Sequence, residues 1–414
     1  MKILVIGNGG REHAIAWKLS ESPKVSKIYC APGNGGTFME AKCENIDIDN
    51  IEELLRFALD NSIDLTVVGP EVYLCEGIVD LFKANNLRIF GPSKEAAKLE
   101  GSKNFAKEFM KKYGVKTAAY EAFNDSKKAM EYVKAAKYPI VIKADGLAAG
   151  KGVIIAENSE VAIEAIKDFM IYDSFKGAGK EIVIEEFLTG VEASILSITD
   201  GKTIIPFISS KDHKAIYDGN KGPNTGGMGT IAPNPYCTEG VLKAFEKDIL
   251  NPTLKGIQNE KLDYKGIIFF GIMINDSGVY LLEYNVRMGD PETQVVLPLL
   301  ENSLLDLIDE TLKGNLGDVS VRFKDKKACC VIGASSGYPG KYSTGEIIEG
   351  LDSCKEKVFV AGAKKSQENI ITNGGRVLGV TALGDTLDEA RKKAYDALSE
   401  VKFNGIYYRK DIGK

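Results

Sequence analysis

The sequence has few of the residues on which metal and thiol chemistry most often depend. Its 414 residues include two histidines and seven cysteines, and no two cysteines form a Cys-x-x-Cys pair. An odd number of cysteines in this pattern argues against a disulfide framework or a structural zinc site and favours reduced thiols. Because histidine is so scarce, the composition also excludes histidine-rich metal catalysis.

The sequence also lacks a long apolar run and a strong charge of either sign. Its longest apolar segments, such as residues 267–274, have the length of buried strands and not of a membrane span. The apolar part of its first residues is too short for a signal peptide. The net charge of −5 provides no basic field for nucleic acid or acidic membranes. We therefore expect a cytoplasmic protein that binds neither, and local groups must hold any anionic ligand.

Strand and helix patterns dominate what is present, over a length that predicts two to four domains. Strands are predicted at residues 2–6, 27–30, 65–68 and 88–90, with helical patterns between them. Three of these strands end in glycine-containing turns. Because ligands bind beyond the carboxyl ends of strands in open parallel sheets, this α/β pattern predicts a pocket along that edge.

Residues 7–12 form a glycine-rich turn between the first strand and the first helix, as in nucleotide-binding βαβ folds. The dinucleotide fingerprint requires a glycine where Glu12 stands, and the second strand ends without an acid for a ribose hydroxyl. Both departures argue against a nicotinamide cofactor. The turn can still hold a phosphate or a sugar at the helix N-terminus.

Residues 139–152 read as a buried strand, then Lys143, then a turn with three glycines, before a new strand begins at Val153. Glycines let the backbone approach a ligand, and lysines supply point charges for phosphates. The stretch is not a Walker A sequence, because a strand follows it instead of a helix. It fits a nucleotide phosphate loop and, equally, a β-hairpin with a mobile tip and two solvated lysines, Lys143 and Lys151.

Residues 211–229 show no regular periodicity, so the sequence predicts a long segment poor in helix and strand. Such segments in compact domains are usually functional. Asn224 and Thr225 followed by glycines favour a ligand-binding turn over a floppy surface loop.

The predicted strand at residues 279–284 leads into Glu283, Asn285 and Arg287. Residues two apart on a strand point to the same face. A carboxylate beside a carboxamide offers the hard oxygen ligands that suit Mg²⁺, and Arg287 could grip a carboxylate or phosphate. The apolar strand before them weakens the alternative of a solvated polar edge.

Taken together, these stretches resemble the ATP-grasp ligases, and among them the enzymes that join glycine to 5-phosphoribosylamine. The resemblance extends from residue 1 to about residue 411, with the motifs in the family's order. The motifs that carry it are Gly7-Asn-Gly-Gly-Arg-Glu-His13, Val68-Gly-Pro-Glu71, Ile142-Lys-Ala-Asp-Gly-Leu-Ala-Ala-Gly-Lys-Gly152, Asp212-His-Lys214, Pro223-Asn-Thr-Gly-Gly-Met-Gly229, Arg287-Met-Gly-Asp-Pro-Glu-Thr293 and Asn373-Gly-Gly-Arg376.

The resemblance implies an N-terminal open parallel α/β domain at residues 1–101 and a two-lobed ATP-grasp fold at residues 102–326. It implies a mobile lobe at about residues 117–190 and a small C-terminal α+β domain at residues 327–414. By matching position, the residues implied to contact ATP are Lys103, Lys143, Gly150, Gly152, Glu185, Glu186, Leu188 and Glu192.

The other implied roles follow in the same way. The residues implied at the substrates are Gly9, Gly10, Arg11, Glu12, Gly69, Pro70, Glu71, Asn224, Thr225, Gly226, Gly227, Met228, Gly229 and Asp290. Asp212, Lys214 and Arg287 are implied to be catalytic, and Glu283 and Asn285 to be metal ligands. Many ATP-grasp enzymes place a further metal carboxylate on the preceding strand, but residues 267–274 contain none.

The implied reaction uses ATP and Mg²⁺ or Mn²⁺ to activate glycine as an acyl phosphate, which the amine of 5-phosphoribosylamine then attacks. These small molecules are the implied partners, and the implied assembly is a monomer or weak dimer. Two alternatives stay open at this point. The chain could be an ATP-grasp carboxylate–amine ligase for another acid or amine, or a nucleotide-binding protein without catalysis.

Overall fold

The protein is described by a computed structural model that covers residues 1–148, 152–175 and 177–414. Within these ranges no helix combines the length and the apolar character that crossing a membrane requires. The chain forms a mixed α/β architecture around one large sheet, as the sequence predicted.

The N-terminal part alternates strands and helices. Its elements are β1 (Lys2–Gly7), α1 (Gly10–Ser20), β2 (Lys27–Pro32), α2 (Gly35–Met39), β3 (Cys43–Asn45), α3 (Ile51–Asp60), β4 (Leu65–Val68), α4 (Glu71–Glu76), α5 (Ile78–Ala84), β5 (Ile89–Pro92), α6 (Lys94–Gly101) and α7 (Lys103–Tyr113). β1 after Lys2 and all of β4 are buried and mostly apolar, which is typical of strands covered on both faces. Ser93 and Ser102 each accept a backbone hydrogen bond and thereby cap α6 and α7.

A separate four-stranded antiparallel sheet follows, in the order β6-β9-β7-β8. We call this unit, residues 120–186, the small lobe; its elements are β6 (Tyr120–Phe123), α8 (Ser126–Lys134), β7 (Ile140–Ala144), β8 (Val153–Ala156), α9 (Ser159–Met170) and β9 (Ile182–Glu186). β7 and β8 pair as the antiparallel hairpin that the sequence predicted. The lobe has its own apolar core, in which α8 and α9 pack on the sheet through residues such as Val133 and Ile166.

The chain then returns to the large sheet. The elements here are β10 (Val191–Thr199), β11 (Ile204–Pro206), β12 (Lys211–Asp212), β13 (Ala215–Tyr217), β14 (Lys221–Asn224), β15 (Gly229–Ala232), α10 (Glu239–Phe245), α11 (Asn251–Asn259), β16 (Tyr264–Asn275), β17 (Gly278–Asn285), α12 (Thr293–Leu299) and α13 (Leu304–Lys313). A π-helical turn, Glu246–Leu250, joins α10 to α11, and a 3-10 turn, Leu316–Asp318, follows α13.

The large sheet runs in the order β11-β10-β16-β5-β4-β1-β2-β3, with β17 paired to β16. β1 to β5 are parallel to one another, whereas β16 joins β5 antiparallel through Tyr264 and Pro92. The strand order reverses beside β1, because β2 pairs on one side and β4 on the other. Open sheets bind ligands at such a reversal, so the glycine turns after β1 and β4 lie where the sequence predicted a pocket.

The segment 211–229 differs from its prediction. Three short strands, β12 to β14, lie within it, and β15 begins at its last residue, Gly229, and joins the C-terminal sheet by pairing with β18 (Lys327–Ala334). Strands of two to four residues are too short to show an alternation of apolar and polar residues, so the sequence pattern does not reveal them.

The C-terminal part adds a five-stranded sheet in the order β12-β15-β18-β22-β19. Its remaining elements are β18 (Lys327–Ala334), β19 (Lys357–Val360), β20 (Ala363–Ser366), β21 (Asn369–Thr372), β22 (Arg376–Gly384) and α14 (Leu387–Leu398). Thr386 caps α14 by accepting a hydrogen bond from the Glu389 backbone N–H. Because β12 and β15 come from the preceding region, this sheet fixes residues 327–414 against the centre of the molecule.

Candidate active site

Two adjoining cavities lie between the small lobe, the large sheet and the C-terminal part. The interlobe cavity, of about 330 Å³, lies between β7, β8 and β9 on one side and β10, β16 and β17 on the other. The inner cavity, of about 380 Å³, extends from it towards Arg11, Glu71 and Arg376. The residues that line both are Val153, Gly226, Glu283, Asn285, Arg287 and Asp290.

Most of the predicted site residues line one or both of these cavities. Those that line the interlobe cavity are Lys143, Glu185, Glu186, Leu188, Glu192, Asp212, Lys214, Asn224, Thr225, Gly226, Glu283, Asn285, Arg287 and Asp290. Those that line the inner cavity but not the interlobe cavity are Arg11, Glu71, Lys103 and Gly152. Gly150, like Lys151, lies outside the described residues. The structure thus brings together residues more than 270 positions apart in the sequence.

On the small-lobe side, a buried carboxylate is paired with two lysines. Glu185 Oε1 lies 2.9 Å from Lys143 Nζ, and Glu185 Oε2 lies 3.2 Å from Lys107 Nζ. Lys107 also donates to Thr117 Oγ1 at 2.7 Å. Burial lowers the pKa of Lys107 to about 8, against the opposing effect of Glu185. Lys143 thus stands at the cavity wall, and its partner Glu185 has a second cationic partner in Lys107.

Lys103 is brought close to this side by the start of α7. Asp145, which follows β7, accepts hydrogen bonds from the Asn104 backbone N–H and from Ser102 Oγ at 2.7 and 2.9 Å. The Lys103 backbone N–H donates to the Asp145 carbonyl at 3.0 Å. Asp145 therefore ties the end of β7 to the N-terminus of α7. Lys143 lines the interlobe cavity and Lys103 lines the inner cavity.

On the large-sheet side, β17 carries Glu283 and Asn285 opposite Gly271 and Phe269 of β16, which places them on one face. Burial alone would raise the pKa of Glu283, but Lys103, Lys214 and Lys143 lower it to about 2. Arg287 donates to Asn285 Oδ1 at 2.9 Å. An ionised carboxylate thus stands among cations at the junction of the two cavities.

Glu283 and Asn285 fit a divalent cation on the chemistry of their donor atoms. The carboxylate is held ionised, and the amide oxygen that accepts from Arg287 has a second lone pair. Mg²⁺ is commonly bound by one or two carboxylates, with water and substrate phosphates as its other ligands. Over the described ranges no three His, Cys, Asp or Glu side chains group as a metal site.

Arg287 is held by carboxylates that reach it from two helices. Its guanidinium lies 3.2 Å from Glu71 of α4 and 2.9 Å from Glu100 of α6. Glu100 also accepts from the Val286 backbone N–H at 2.7 Å. Burial would lower the pKa of Arg287, but Glu100 and Glu71 raise it above its usual range, so it stays charged.

The far wall of the interlobe cavity carries three charged side chains. They are Asp212 on β12, Lys214 shortly after β12, and Glu192 on β10. Lys214 Nζ lies 2.7 Å from Glu192 Oε2. Burial would lower the pKa of Lys214, but Glu192, Glu283 and Asp212 raise it. Burial and the neighbouring carboxylate of Glu292 raise the pKa of Asp212 well above its usual value. Asp212 Oδ1 is buried and meets no hydrogen-bond partner in the part of the chain that the structure describes.

Glu12 requires a correction. The resemblance implied that it faces a substrate, but its carboxylate fills the crevice between the ends of β1 and β4 and is 2% exposed. It accepts from the Gly9 backbone N–H at 2.7 Å and from Arg11 Nε at 2.5 Å. A Cβ atom on Gly69 would lie 2.0 Å from Glu12 Oε1, so Gly69 leaves room for this carboxylate. Glu12 therefore shapes the turn from behind.

Several other residues implied at the substrates do not line either cavity. The Met228 side chain is fully buried in the C-terminal core beside Ile216 and Ile231, because an apolar side chain gains most there. Gly229 belongs to β15 in the same region. The other predicted substrate residues that line neither cavity are Gly9, Gly10, Gly69, Pro70 and Gly227.

Sequence reasoning assigned no role to four side chains that the structure places in or against the site. Glu100 and Arg376 line the inner cavity, Glu292 lines the interlobe cavity, and Lys107 supports Glu185. Glu292 is buried and accepts from Ser194 Oγ at 3.0 Å. Glu292 and Arg376 stand inside quoted motifs, which was the available signal; Glu100 and Lys107 stand on helices whose pattern gives none.

Comparisons with known proteins identify the family of the chain. Three family models of phosphoribosylglycinamide synthetase match the chain: the N domain at residues 1–100, the ATP-grasp (A) domain at residues 101–293 and the C domain at residues 328–414. The middle model bears the name of the ATP-grasp fold, and a structural neighbour described below, a biotin carboxylase domain, was solved with MgADP.

Individual relatives extend the match to the full length. A phosphoribosylamine–glycine ligase of Clostridium acetobutylicum is 63% identical over 414 residues, covering 100% of both chains. The crystal structure of the Thermotoga maritima phosphoribosylamine–glycine ligase is 35% identical with a TM-score of 0.88, again covering 100% of both. A biotin carboxylase domain from Hydrogenobacter thermophilus, at 17% identity, TM-score 0.75 and coverage of 98% and 91%, shares the fold. The chain belongs to the phosphoribosylamine–glycine ligase family.

Proposed function

We propose that this chain catalyses the reaction for which its family is named. ATP, glycine and 5-phosphoribosylamine would give glycinamide ribonucleotide, ADP and phosphate, through glycyl phosphate, as the second step of purine synthesis. The observation that carries the proposal is the ionised Glu283, surrounded by cations, at the junction of two cavities. A triphosphate can be neutralised on one side of this point while an acid and an amine meet on the other.

The base and ribose of ATP fit the interlobe cavity. Its apolar wall includes Ile155, Leu188 and Met273, which suit a purine ring, and Glu185 and Glu192 offer polar acceptors beside them. Lys143 and Lys103 would then contact the phosphates, since each already faces a cavity next to Glu283. Glu185 keeps its ion pair with Lys107 when Lys143 turns to the nucleotide.

Mg²⁺ or Mn²⁺ would be held by Glu283 and Asn285 together with phosphate oxygens. When bound, the ion offsets negative charge on the transferring phosphoryl group. The chain's own part is to keep Glu283 ionised and Asn285 oriented, which the neighbouring lysines and Arg287 do.

Glycine would lie where Asp212, Arg287 and Thr225 meet. Arg287 would attract its carboxylate and later the acyl phosphate by its positive charge, while it keeps its pairing with Glu71 and Glu100. Asp212 and Glu292 form an acidic wall that suits the ammonium group, and a bound cation would lower the raised pKa of Asp212. The phosphoribosyl group would occupy the inner cavity near Arg11 and Glu71.

No nucleophilic side chain is required, because the amine attacks the acyl phosphate directly and phosphate leaves. The site must exclude water, which would otherwise hydrolyse that intermediate. We assign this task to the small lobe, within the mobile region predicted at about residues 117–190, and keep the predicted domains at residues 1–101, 102–326 and 327–414. We further propose a cytoplasmic monomer or weak dimer that binds neither nucleic acid nor membranes.

Release of ADP tests the proposed function. The purified protein should release ADP rapidly when ATP, Mg²⁺, glycine and 5-phosphoribosylamine are all present, and slowly when either glycine or the amine is omitted. Turnover that does not depend on glycine would indicate another ATP-grasp carboxylate–amine ligase. ATP binding without turnover under every condition would indicate a nucleotide-binding protein.

A further inference from the structure

The C-terminal part reaches the junction of the two cavities through one side chain, Arg376, which stands at the start of β22 and is 20% exposed. Arg376 closes the motif at residues 373–376, to which the sequence assigned no task. Arg376 Nη1 donates to the Gly226 carbonyl at 2.5 Å and to the Asp290 carbonyl at 2.7 Å. Its Nη2 lies 3.4 Å from Asp290 Oδ1. One guanidinium thus joins two segments that both line both cavities.

Gly226 is held from its other polar group as well. Its backbone N–H donates to the Tyr338 hydroxyl at 3.0 Å. A Cβ atom at Gly226 would lie 2.8 Å from Arg376 Cζ, so the guanidinium packs directly against the backbone. Both the N–H and the C=O of Gly226 are therefore fixed by side chains from residues 327–414.

The rest of the motif supports these two side chains. A Cβ atom at Gly375 would lie 2.2 Å from the Tyr338 ring, so a glycine is required there for the ring to reach Gly226. Ser335 donates from its backbone N–H to the Gly375 carbonyl and from Oγ to the Gly374 carbonyl, each at 2.8 Å. The residues of this motif thus hold Arg376 and Tyr338 in place against Gly226.

We propose that Arg376 is a positioning residue that sets the Gly226 turn and Asp290 against each other, and so shapes the place where glycine is activated. This inference rests on the proposed function. Displacing a reacting group by about 1 Å can cost about 100-fold in rate, so a turn held by one guanidinium is a sensitive point. Tyr338 assists from the same region. Within the described ranges the hydrogen bonds of these two side chains go to the Gly226 turn and to Asp290, and not to the nucleotide end of the interlobe cavity at Ile155 and Leu188.

The chain offers a matched control in Arg409. It is a buried arginine of the same C-terminal part, and it also donates to a backbone carbonyl in the 211–229 segment, that of Ala215, at 2.9 Å. Its other partner is Asp411, and it lines neither cavity. Losing Arg409 therefore tests how general docking of the C-terminal part affects the protein.

The experiment compares Arg376→Met, Arg376→Lys, Tyr338→Phe and Arg409→Met with the unaltered protein. For each we measure KM for glycine and for ATP by ADP release, the affinity for a non-hydrolysable ATP analogue, and the urea midpoint. We expect Arg376→Met to raise the glycine KM by at least about tenfold and to lower kcat, with analogue affinity within about twofold. Arg376→Lys should fall between, because an ammonium can replace the Nη1 donor to the two carbonyls but not the Nη2 contact with Asp290 or the planar packing against Gly226. Tyr338→Phe should cause a smaller rise, and Arg409→Met should lower only the urea midpoint.

Two results would overturn the inference. One is a glycine KM unchanged in all Arg376 and Tyr338 variants. The other is an equal rise in Arg409→Met, which would make the effect one of general docking. If Arg376→Met does not fold, Arg376→Lys and Tyr338→Phe decide by the same comparison. Failure of the proposed function is recognised separately, as unaltered protein that binds the analogue but shows no glycine-dependent turnover.

Discussion

The two sides of the interlobe cavity carry different charges on differently built supports. The small-lobe side presents Lys143, backed by Glu185 and Lys107, on a four-stranded sheet with a small core of its own. The opposite side presents Glu283 and Asn285 on β17, which joins the large sheet and its extensive cores.

This difference suggests a division of labour between the two sides. A metal ligand set must keep its geometry, and the large sheet is the more rigid support for it. Cations that follow the phosphates of a nucleotide can be carried by a lobe that moves. On this basis we expect the metal to be bound by the large-sheet side alone, and the small lobe to open as an independent unit.

The largest effect is expected from Glu283→Gln, which keeps the shape of the side chain and removes its charge. Activity should fall by about 1,000-fold, since several kcal/mol of charge stabilisation by the metal would be lost. Circular dichroism and the urea midpoint should stay near those of the unaltered protein. Glu239→Gln, at a side chain 83% exposed on α10, is the control and should retain full activity. If Glu283→Gln kept its activity, the assignment of a metal ligand to Glu283 of β17 would be wrong.

The independence of the small lobe is tested by two equivalent core deletions. Ile166 and Ile308 are both fully buried, the first in the small-lobe core and the second in a core of the large sheet. Each truncation to Ala should cost about 3 kcal/mol where it acts. Hydrogen exchange should accelerate only within residues 120–186 for Ile166→Ala, and across the large sheet for Ile308→Ala. Matching exchange patterns in the two variants would show that the lobe is not a separate unit.

Lys143→Met should weaken the small-lobe side alone. We expect the affinity for an ATP analogue and kcat/KM to fall together, the latter by about 100-fold, because a charge-assisted contact to phosphate is lost. Lys134→Met, at an exposed lysine of the same lobe, provides the control. Unchanged kinetics for Lys143→Met would take this lysine out of the site.

The smallest effect is expected on stability at acidic pH. Neither side of the interlobe cavity carries a histidine among the described residues, so the histidines should affect stability and not the site. Both histidines instead accept backbone N–H groups of the C-terminal part: Val360 N donates to His13 Nδ1 at 2.9 Å, and Gly413 N to His213 Nε2 at 3.1 Å. Burial lowers the pKa of His213 to about 4 from 6.5, so the unfolded chain binds the proton more readily and stability is lost as pH falls through this window.

Urea unfolding at several pH values measures this loss. Between pH 6.5 and pH 5 the contribution of His213 should be about 2 kcal/mol. His213→Gln keeps one donor and one acceptor without titrating, so its stability should fall less on acidification. Parallel curves for the two proteins would contradict the assignment.

Local patterns in the sequence were sufficient for much of the fold. The strand, turn and strand around Lys143 depend on neighbouring residues, so propensity and spacing reveal them. The same holds for Glu283 and Asn285, whose common face follows from strand geometry.

The remainder depends on contacts between distant segments. Glu12 has the charge of a ligand, and only the closeness of β1 and β4 shows that it fills the crevice between them. Glu100 meets Arg287 across 187 positions, and Arg376 meets Gly226 across 150. No local period encodes such a pairing, so sequence patterns missed these partners and the short strands of residues 211–229.

The most direct test of the account is a crystal structure of the protein with a non-hydrolysable ATP analogue, Mn²⁺ and glycine, with the metal located by its anomalous scattering. The account predicts the purine between the small lobe and β16, the phosphates between Lys143 and Glu283, and manganese on Glu283 and Asn285. Manganese bound to other residues, or a nucleotide outside the interlobe cavity, would contradict it.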